Sequence, residues 1–259
     1  MKFFLIQLSL MSLCYANPKG FTNTPVLPES GYRIHGIERP HPKKVSNTKF
    51  IHTTAPSDAT VLFDGSNIDA WKGQWNIKDG VLIASPGHLE TKEHFGKVQI
   101  HLEFRIPEGR KVIGQVGANS GIFIMGLYEI QVQESHTNVT YADGQAGAMY
   151  GQYPPLVNPS SPQGKWQSYD IIFEPPIHKG KTLIKPAVVT VLHNGVLVHH
   201  AQPFLGASTF KKIPKYSKKT LASKGPLKLQ WHDDPVEFKN IWIRDLGEYS
   251  NTAEQKDTD

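Results

Sequence analysis

A chain of 259 residues is long enough to bury a substantial core as one large domain or two small ones, and its formal net charge is +5. Glycine (22) and proline (19) are spread through it and no long charged helical pattern appears, the composition of a turn-rich all-β protein. Its only cysteine is Cys14, and Lys and Arg are scattered instead of lining one face with aromatics, so nucleic-acid binding is not indicated.

The chain opens on Met1-Lys2-Phe3-Phe4-Leu5-Ile6, stays apolar to Leu13, and reaches Cys14-Tyr15-Ala16 before the polar Asn17-Pro18-Lys19. One positive charge, a short apolar core and small residues before a cut predict a signal peptide over 1–16, cleaved after Ala16. The run falls short of the ~20 residues a membrane span needs. Export to the periplasm or beyond follows, with no membrane contact after cleavage. The mature chain then carries no cysteine, which excludes disulfides, zinc–thiolate sites and a cysteine nucleophile.

Residues 17–57 are rich in Pro, Asn, Thr and Lys without periodicity and read as an extended arm, lying on the domain or partly disordered. From about residue 58 to 247, short apolar runs alternate with turn signals at the spacing of a sandwich or barrel. The predicted strands are Thr60–Phe63, a hairpin of Trp75–Ile77 and Val81–Ala84 about Asp79-Gly80, then Val98–Ile106, Gly121–Met125, Tyr128–Gln133 and Trp166–Phe173. They continue with Ala187–His193 and Val196–His200, joined by the two-residue turn Asn194-Gly195, and end with Leu227–Trp231 and Val236–Ile243. Lys211–Lys219 is basic with no apolar face and reads as a solvated loop. A polar tail, 248–259, closes the chain. Ten or more such strands imply two packed sheets of jelly-roll type, an architecture whose curved sheet can cradle a sugar chain.

Several stretches stand out together by their order and spacing: Leu62-Phe63-Asp64-Gly65 with Trp71, Asn119-Ser120-Gly121-Ile122, Tyr128-Glu129-Ile130-Gln131, Gly147-Ala148-Met149-Tyr150-Gly151, Leu192-His193-Asn194-Gly195, and Gly225-Pro226-Leu227-Lys228-Leu229-Gln230 followed by Asn240-Ile241. Together they resemble the 3-keto-disaccharide hydrolase domain family of exported bacterial proteins, from about Ala59 to Leu246. The resemblance implies a concanavalin A-like sandwich of two antiparallel sheets. It also implies cleavage of 3-keto-glycosides by ketone-assisted elimination or hydrolysis, or, in a non-catalytic member, carbohydrate binding. An oligosaccharide or glycoside is the expected partner and no cofactor is implied; the oligomeric state stays open.

Alternate residues of a strand share a face, so Glu129, Gln131 and Gln133 are expected to face the cleft while Tyr128, Ile130 and Val132 face the core. Ordinary glycoside hydrolysis uses two flanking carboxylates, ~5–5.5 Å apart in retaining enzymes. A sandwich glycosidase of this general shape carries Glu-x-Asp-x-Glu here, whereas this strand offers one carboxylate and two amides. A C3 ketone changes the requirement by acidifying the C2 proton, so a single base suffices. Glu129 is the expected base, and His232, two residues after Gln230, the expected general acid or enolate donor. Asn119, Ser120, Gln131, Gln133, Tyr150 and Gln230 are the expected substrate-binding residues. Trp71, Trp166 and Trp231 are expected to be structural, and Asp233-Asp234 to be solvated acids in a turn. No His-x-x-x-His or clustered Asp-x-Asp pattern suggests a metal.

Overall fold

The computed structural model describes residues 19–46 and 49–247. The expected signal peptide (1–16) and C-terminal tail (248–259) lie outside the described residues. The strands are, in order, β1 (Lys43–Lys44), β2 (Thr60–Phe63), β3 (Trp71–Lys72), β4 (Asn76–Lys78), β5 (Val81–Ile83), β6 (Leu89–Thr91), β7 (Val98–Arg105), β8 (Asn119–Ile124) and β9 (Tyr128–Gln133). There follow β10 (Val157–Asn158), β11 (Gln167–Glu174), β12 (Ile177–Lys179), β13 (Thr182–Lys185), β14 (Val188–His193), β15 (Val196–Pro203), β16 (Lys228–Leu229) and β17 (Glu237–Asp245).

Two antiparallel sheets form the sandwich. The larger runs β15-β14-β11-β7-β17-β5-β4 with β2 also paired to β17, and the smaller runs β3-β6-β16-β8-β9. The protein is thus an all-β jelly-roll sandwich. Its core follows from period-2 alternation: Ile100, Leu102, Phe104, Ile171, Phe173, Val189 and Val191 of the large sheet meet Ile122, Tyr128, Ile130, Val132 and Leu229 of the small one, all fully buried. Each such side chain contributes roughly 1.5–3 kcal/mol by leaving water. The turns fall where the sequence can take positive φ, with Asn194 (φ 52) and Gly195 (φ 74) closing the β14–β15 hairpin.

Several elements differ from the sequence expectation. Leu227–Trp231 shortens to β16, since beyond Leu229 the ladder continues only as the bond from Gln230 N to the Gly121 carbonyl (3.0 Å). The two-residue strands β1, β3 and β10 carry no readable period. Trp166, expected to be structural, is half-buried outside the core and carries two cations near its ring, Arg105 at 4.5 Å and Lys239 at 4.3 Å. Asp234 is buried instead of solvated. It accepts from Gly117 N (3.2 Å), Asn119 N (3.0 Å) and Arg110 Nη2 (3.0 Å), and so pins the entry to β8.

The arm is folded where it is described. Leu27 and Ile34 are fully buried, Phe21 N donates to the His35 carbonyl (2.7 Å), and β1 pairs in parallel with β10.

Candidate active site

A cavity of about 590 Å³ opens on the small sheet, on the side away from the sandwich core. Its floor is the outer face of β8 and β9. In this register Phe123 stands opposite Glu129 and Gly121 opposite Gln131. Gly121 is bare for a physical reason, since a Cβ there would overlap Glu129 Oε1 and meet the Phe123 ring at 2.9 Å. The carboxyl therefore folds over the glycine of the neighbouring strand.

β9 is the outermost strand of its sheet, and its free edge is covered by the loop 141–151. Gln131 N donates to the Ala148 carbonyl (2.9 Å), Gly147 N to the Gln131 carbonyl (2.9 Å) and Tyr150 N to the Glu129 carbonyl (3.2 Å). This docking brings Tyr150 and Tyr141 into the cavity wall with their hydroxyls 2.8 Å apart. Burial pushes both phenols well above their ordinary range, so they stand as neutral donors.

Glu129 is only 5% exposed. Desolvation pushes its pKa up to about 8, and the Lys228 ammonium pulls the other way. Lys228 Nζ lies 4.1 Å from the centroid of the Phe123 ring, one strand across from Glu129. Among the described lining residues Glu129 is the sole carboxylate.

The polar floor is a linked amide set. Gln115 Nε2 donates to Thr140 Oγ1 (2.9 Å) and the Gly144 carbonyl (2.9 Å), and its Oε1 accepts from Asn119 Nδ2 (3.2 Å) and Gln131 Nε2 (2.8 Å). The Gln131 oxygen then faces the Ser120 carbonyl at 2.8 Å and Glu129 Oε1 at 3.3 Å. Reversing the Gln131 amide would let it donate to both, but would turn its oxygen onto Gln115 Oε1, itself held as an acceptor. Neither orientation of the Gln131 amide satisfies all of its neighbours. A proton on Glu129, in keeping with the raised pKa, can bridge the 3.3 Å contact to the Gln131 oxygen, while the 2.8 Å approach of that oxygen to the Ser120 carbonyl is left unbridged.

The cavity brings together Asn119, Glu129, Gln131, Tyr150, Gln230 and His232 from the sequence expectation. Gln230 and His232 stand at its rim, and His232 is exposed. Ser120 and Gln133 do not line it, which corrects their expected substrate contact. Ser120 alternates to the opposite face from Asn119 and gives its hydroxyl to the Gln230 carbonyl (2.7 Å). Gln133 is fully buried, donating to the Gly114 carbonyl (3.2 Å) and accepting from Glu134 N (2.8 Å).

Nine lining residues were not expected from the sequence, among them Gln115, Tyr141, Phe21 and Lys211. These four sit on loops or the arm, where no period marks a face. Lys211, expected in a solvated loop, holds its ammonium 3.6 Å from the Phe21 ring centroid and 5.0 Å from that of Phe210. Among the described residues no group of three or more His, Asp or Glu is arranged to hold a metal ion.

With this geometry in view, residues 58–244 match the 3-keto-alpha-glucoside-1,2-lyase-like domain. The chain belongs to that family. A candidate glycosyl hydrolase from Parabacteroides distasonis ATCC 8503 is 36% identical, with a TM-score of 0.69 over 80% of this chain and 90% of that one. A second from the same organism, 23% identical over 73% of this chain and 99% of the other, shares the fold with a TM-score of 0.53. No curated protein matches the chain. Family and relatives make this a carbohydrate-active protein of the glycoside hydrolase or lyase kind. The cavity holds a single carboxylate, neutral phenols and amides, groups able to move protons and bind hydroxyls.

Proposed function

We propose that the protein is exported and cleaves glycosides whose C3 hydroxyl has been oxidised to a ketone, with Glu129 as the base. The observation that carries this reading is the lone buried carboxylate. A two-carboxylate hydrolysis has no second acid on this floor, whereas removal of a C2 proton made acidic by a neighbouring ketone needs one base. The step balances as an elimination. Glu129 takes the C2 proton, the freed electron pair becomes the C1–C2 double bond through an enolate at C3, and the C1–O bond breaks with its pair on the leaving oxygen, which is then protonated. Water added to the resulting enone would complete a net hydrolysis.

Tyr141 and Tyr150, neutral and paired, suit donation to the enolate oxygen, and His232 at the rim suits protonation of the departing group. Asn119, Gln131 and Gln230 suit the sugar hydroxyls. Export rests on the sequence of residues 1–16.

The test is product formation from a 3-keto-disaccharide and its unoxidised parent, by wild type and Glu129→Gln. Wild type should cleave only the oxidised sugar. Glu129→Gln should lose roughly 10²–10⁴-fold in turnover while keeping most binding, since the amide preserves shape but not basicity. Full activity in the variant would remove Glu129 from the mechanism. Binding of both sugars without turnover of any 3-keto-glycoside would make the protein a carbohydrate-binding module.

A further inference from the structure

The family match begins at residue 58, yet the arm before it reaches the cavity with Phe21 and packs behind the cavity wall with His35. Phe21 forms part of the wall and carries the Lys211 ammonium on its ring. His35 lies behind the wall, fully buried, with its ring centroid 4.2 Å from that of Tyr141, 4.7 Å from Tyr150 and 5.4 Å from Phe210. The two arm residues are tied together, Phe21 N donating to the His35 carbonyl (2.7 Å).

His35 is held with unusual care for a residue in a loop. Its backbone sits at φ 55, in the left-handed region that few non-glycine residues take. Its N–H donates to Asp143 Oδ2 (2.9 Å) and its Nδ1 meets Asp143 Oδ1 (3.3 Å). Arg39, also from the arm, approaches the same carboxylate at 3.5 Å. Asp143 in turn accepts Gly151 N on its carbonyl (2.9 Å), so one residue locks the arm to both ends of the tyrosine loop. Gly151 itself makes room, because a Cβ there would stand 3.2 Å from His35 Cε1. His35 Nε2 has no hydrogen-bond partner, although it is buried. An orphaned ring nitrogen costs about 1–3 kcal/mol, which an apolar ring in the same place would avoid.

We infer that the arm completes the active site and that His35 is a positioning residue, its ring clamped by Asp143 against Tyr141 and Tyr150 so that their hydroxyl pair stays fixed at the cavity wall beside Glu129. This rests on the proposed chemistry for what the hydroxyls do, but not for where they are held. Asp143 is the charged group that meets His35, Arg39 pairs with that carboxylate, and neither lines the cavity.

The test uses the full mature chain carrying His35→Asn, since asparagine accepts positive φ and keeps the backbone bond to Asp143 while removing the ring. Two readouts are taken. Turnover of a 3-keto-disaccharide should fall 10- to 100-fold in kcat with KM within about threefold, the split expected when a transition-state donor is misplaced. The absorbance titration of Tyr150, isolated by subtracting the Tyr150→Phe counterpart, should move down by at least tenfold in proton affinity as water enters the vacated space. Asp143→Asn, which leaves the ring but weakens its clamp, should move both in the same direction by less, and it stands in should His35→Asn not fold. Wild-type kcat in these variants, or an unmoved Tyr150 titration, would overturn the inference. Should wild type cleave no 3-keto-glycoside, the functional reading fails by itself and the titration alone decides the positioning.

Discussion

Replacing Glu129 by glutamine should stabilise the protein, and by an amount that depends on pH in one direction only. The carboxyl is pushed to about 8 in the folded chain against an ordinary 4.5, so the folded state holds its proton where the unfolded state has lost it. Below about pH 4.5 both states are protonated and burial of the neutral acid costs little. As pH rises from there toward 8, the unfolded state binds fewer protons and stability drains away, and above 8 the loss is constant. At about 1.4 kcal/mol per tenfold in proton affinity, the ceiling is about 5 kcal/mol, with about 3 kcal/mol already lost at pH 7. Glutamine has no proton to lose and escapes the penalty. Urea unfolding of wild type and Glu129→Gln at pH 5, 7 and 8.5 should therefore show curves that differ by about 1 kcal/mol at pH 5 and separate progressively in favour of the variant. Wild-type turnover of a 3-keto-glycoside should rise over the same interval and level above about pH 8, as the base becomes available. A stability difference that is flat from pH 5 to 8.5, or activity already maximal at pH 5, would refute a desolvated, high-pKa Glu129.

Gly121→Ala should cost about 1–3 kcal/mol in urea unfolding and should depress turnover as well, because the new methyl displaces the Glu129 carboxyl; wild-type behaviour in both would disprove the close approach. The mature protein recovered from its own host should begin at Asn17, and an intact mass that retains Met1–Ala16 would defeat export.

Where the chain alternates, the sequence was a good guide. Tyr128, Ile130 and Val132 enter the core and Glu129 and Gln131 meet the cavity, because a strand has only two faces and hydrophobicity labels one of them. The same rule, applied strictly, would have separated Ser120 from Asn119, since neighbours on a strand cannot share a wall. What stayed hidden lies where the backbone has no period. Tyr141 comes to the cavity because its loop fills the free edge of β9, Gln115 because a buried Asp234 fixes the chain just before β8, and Phe21 because a folded arm returns to the sheet. Each depends on partners about 20 to well over 100 residues away, and no local pattern encodes that.

The floor of the cavity also explains why amides stand beside Glu129 where a sandwich glycosidase places acids. A second carboxylate two residues along would sit roughly 6.5–7 Å away on the same face, and the two charges would couple. One acid would then hold the shared proton and the other would ionise at ordinary pH, which suits a division of labour between acid and nucleophile. With Gln131 and Gln133 in those places, the Glu129 pKa is set by burial against one modest cation, Lys228. The result is a carboxyl that keeps its proton below about pH 8, costs the fold several kcal/mol whenever it ionises, and under the proposed reaction would act as a strong base. Such an arrangement is poorly matched to an unactivated glycosidic bond, which needs two ionisable groups in opposite states. It is well matched to a substrate that brings its own acidity.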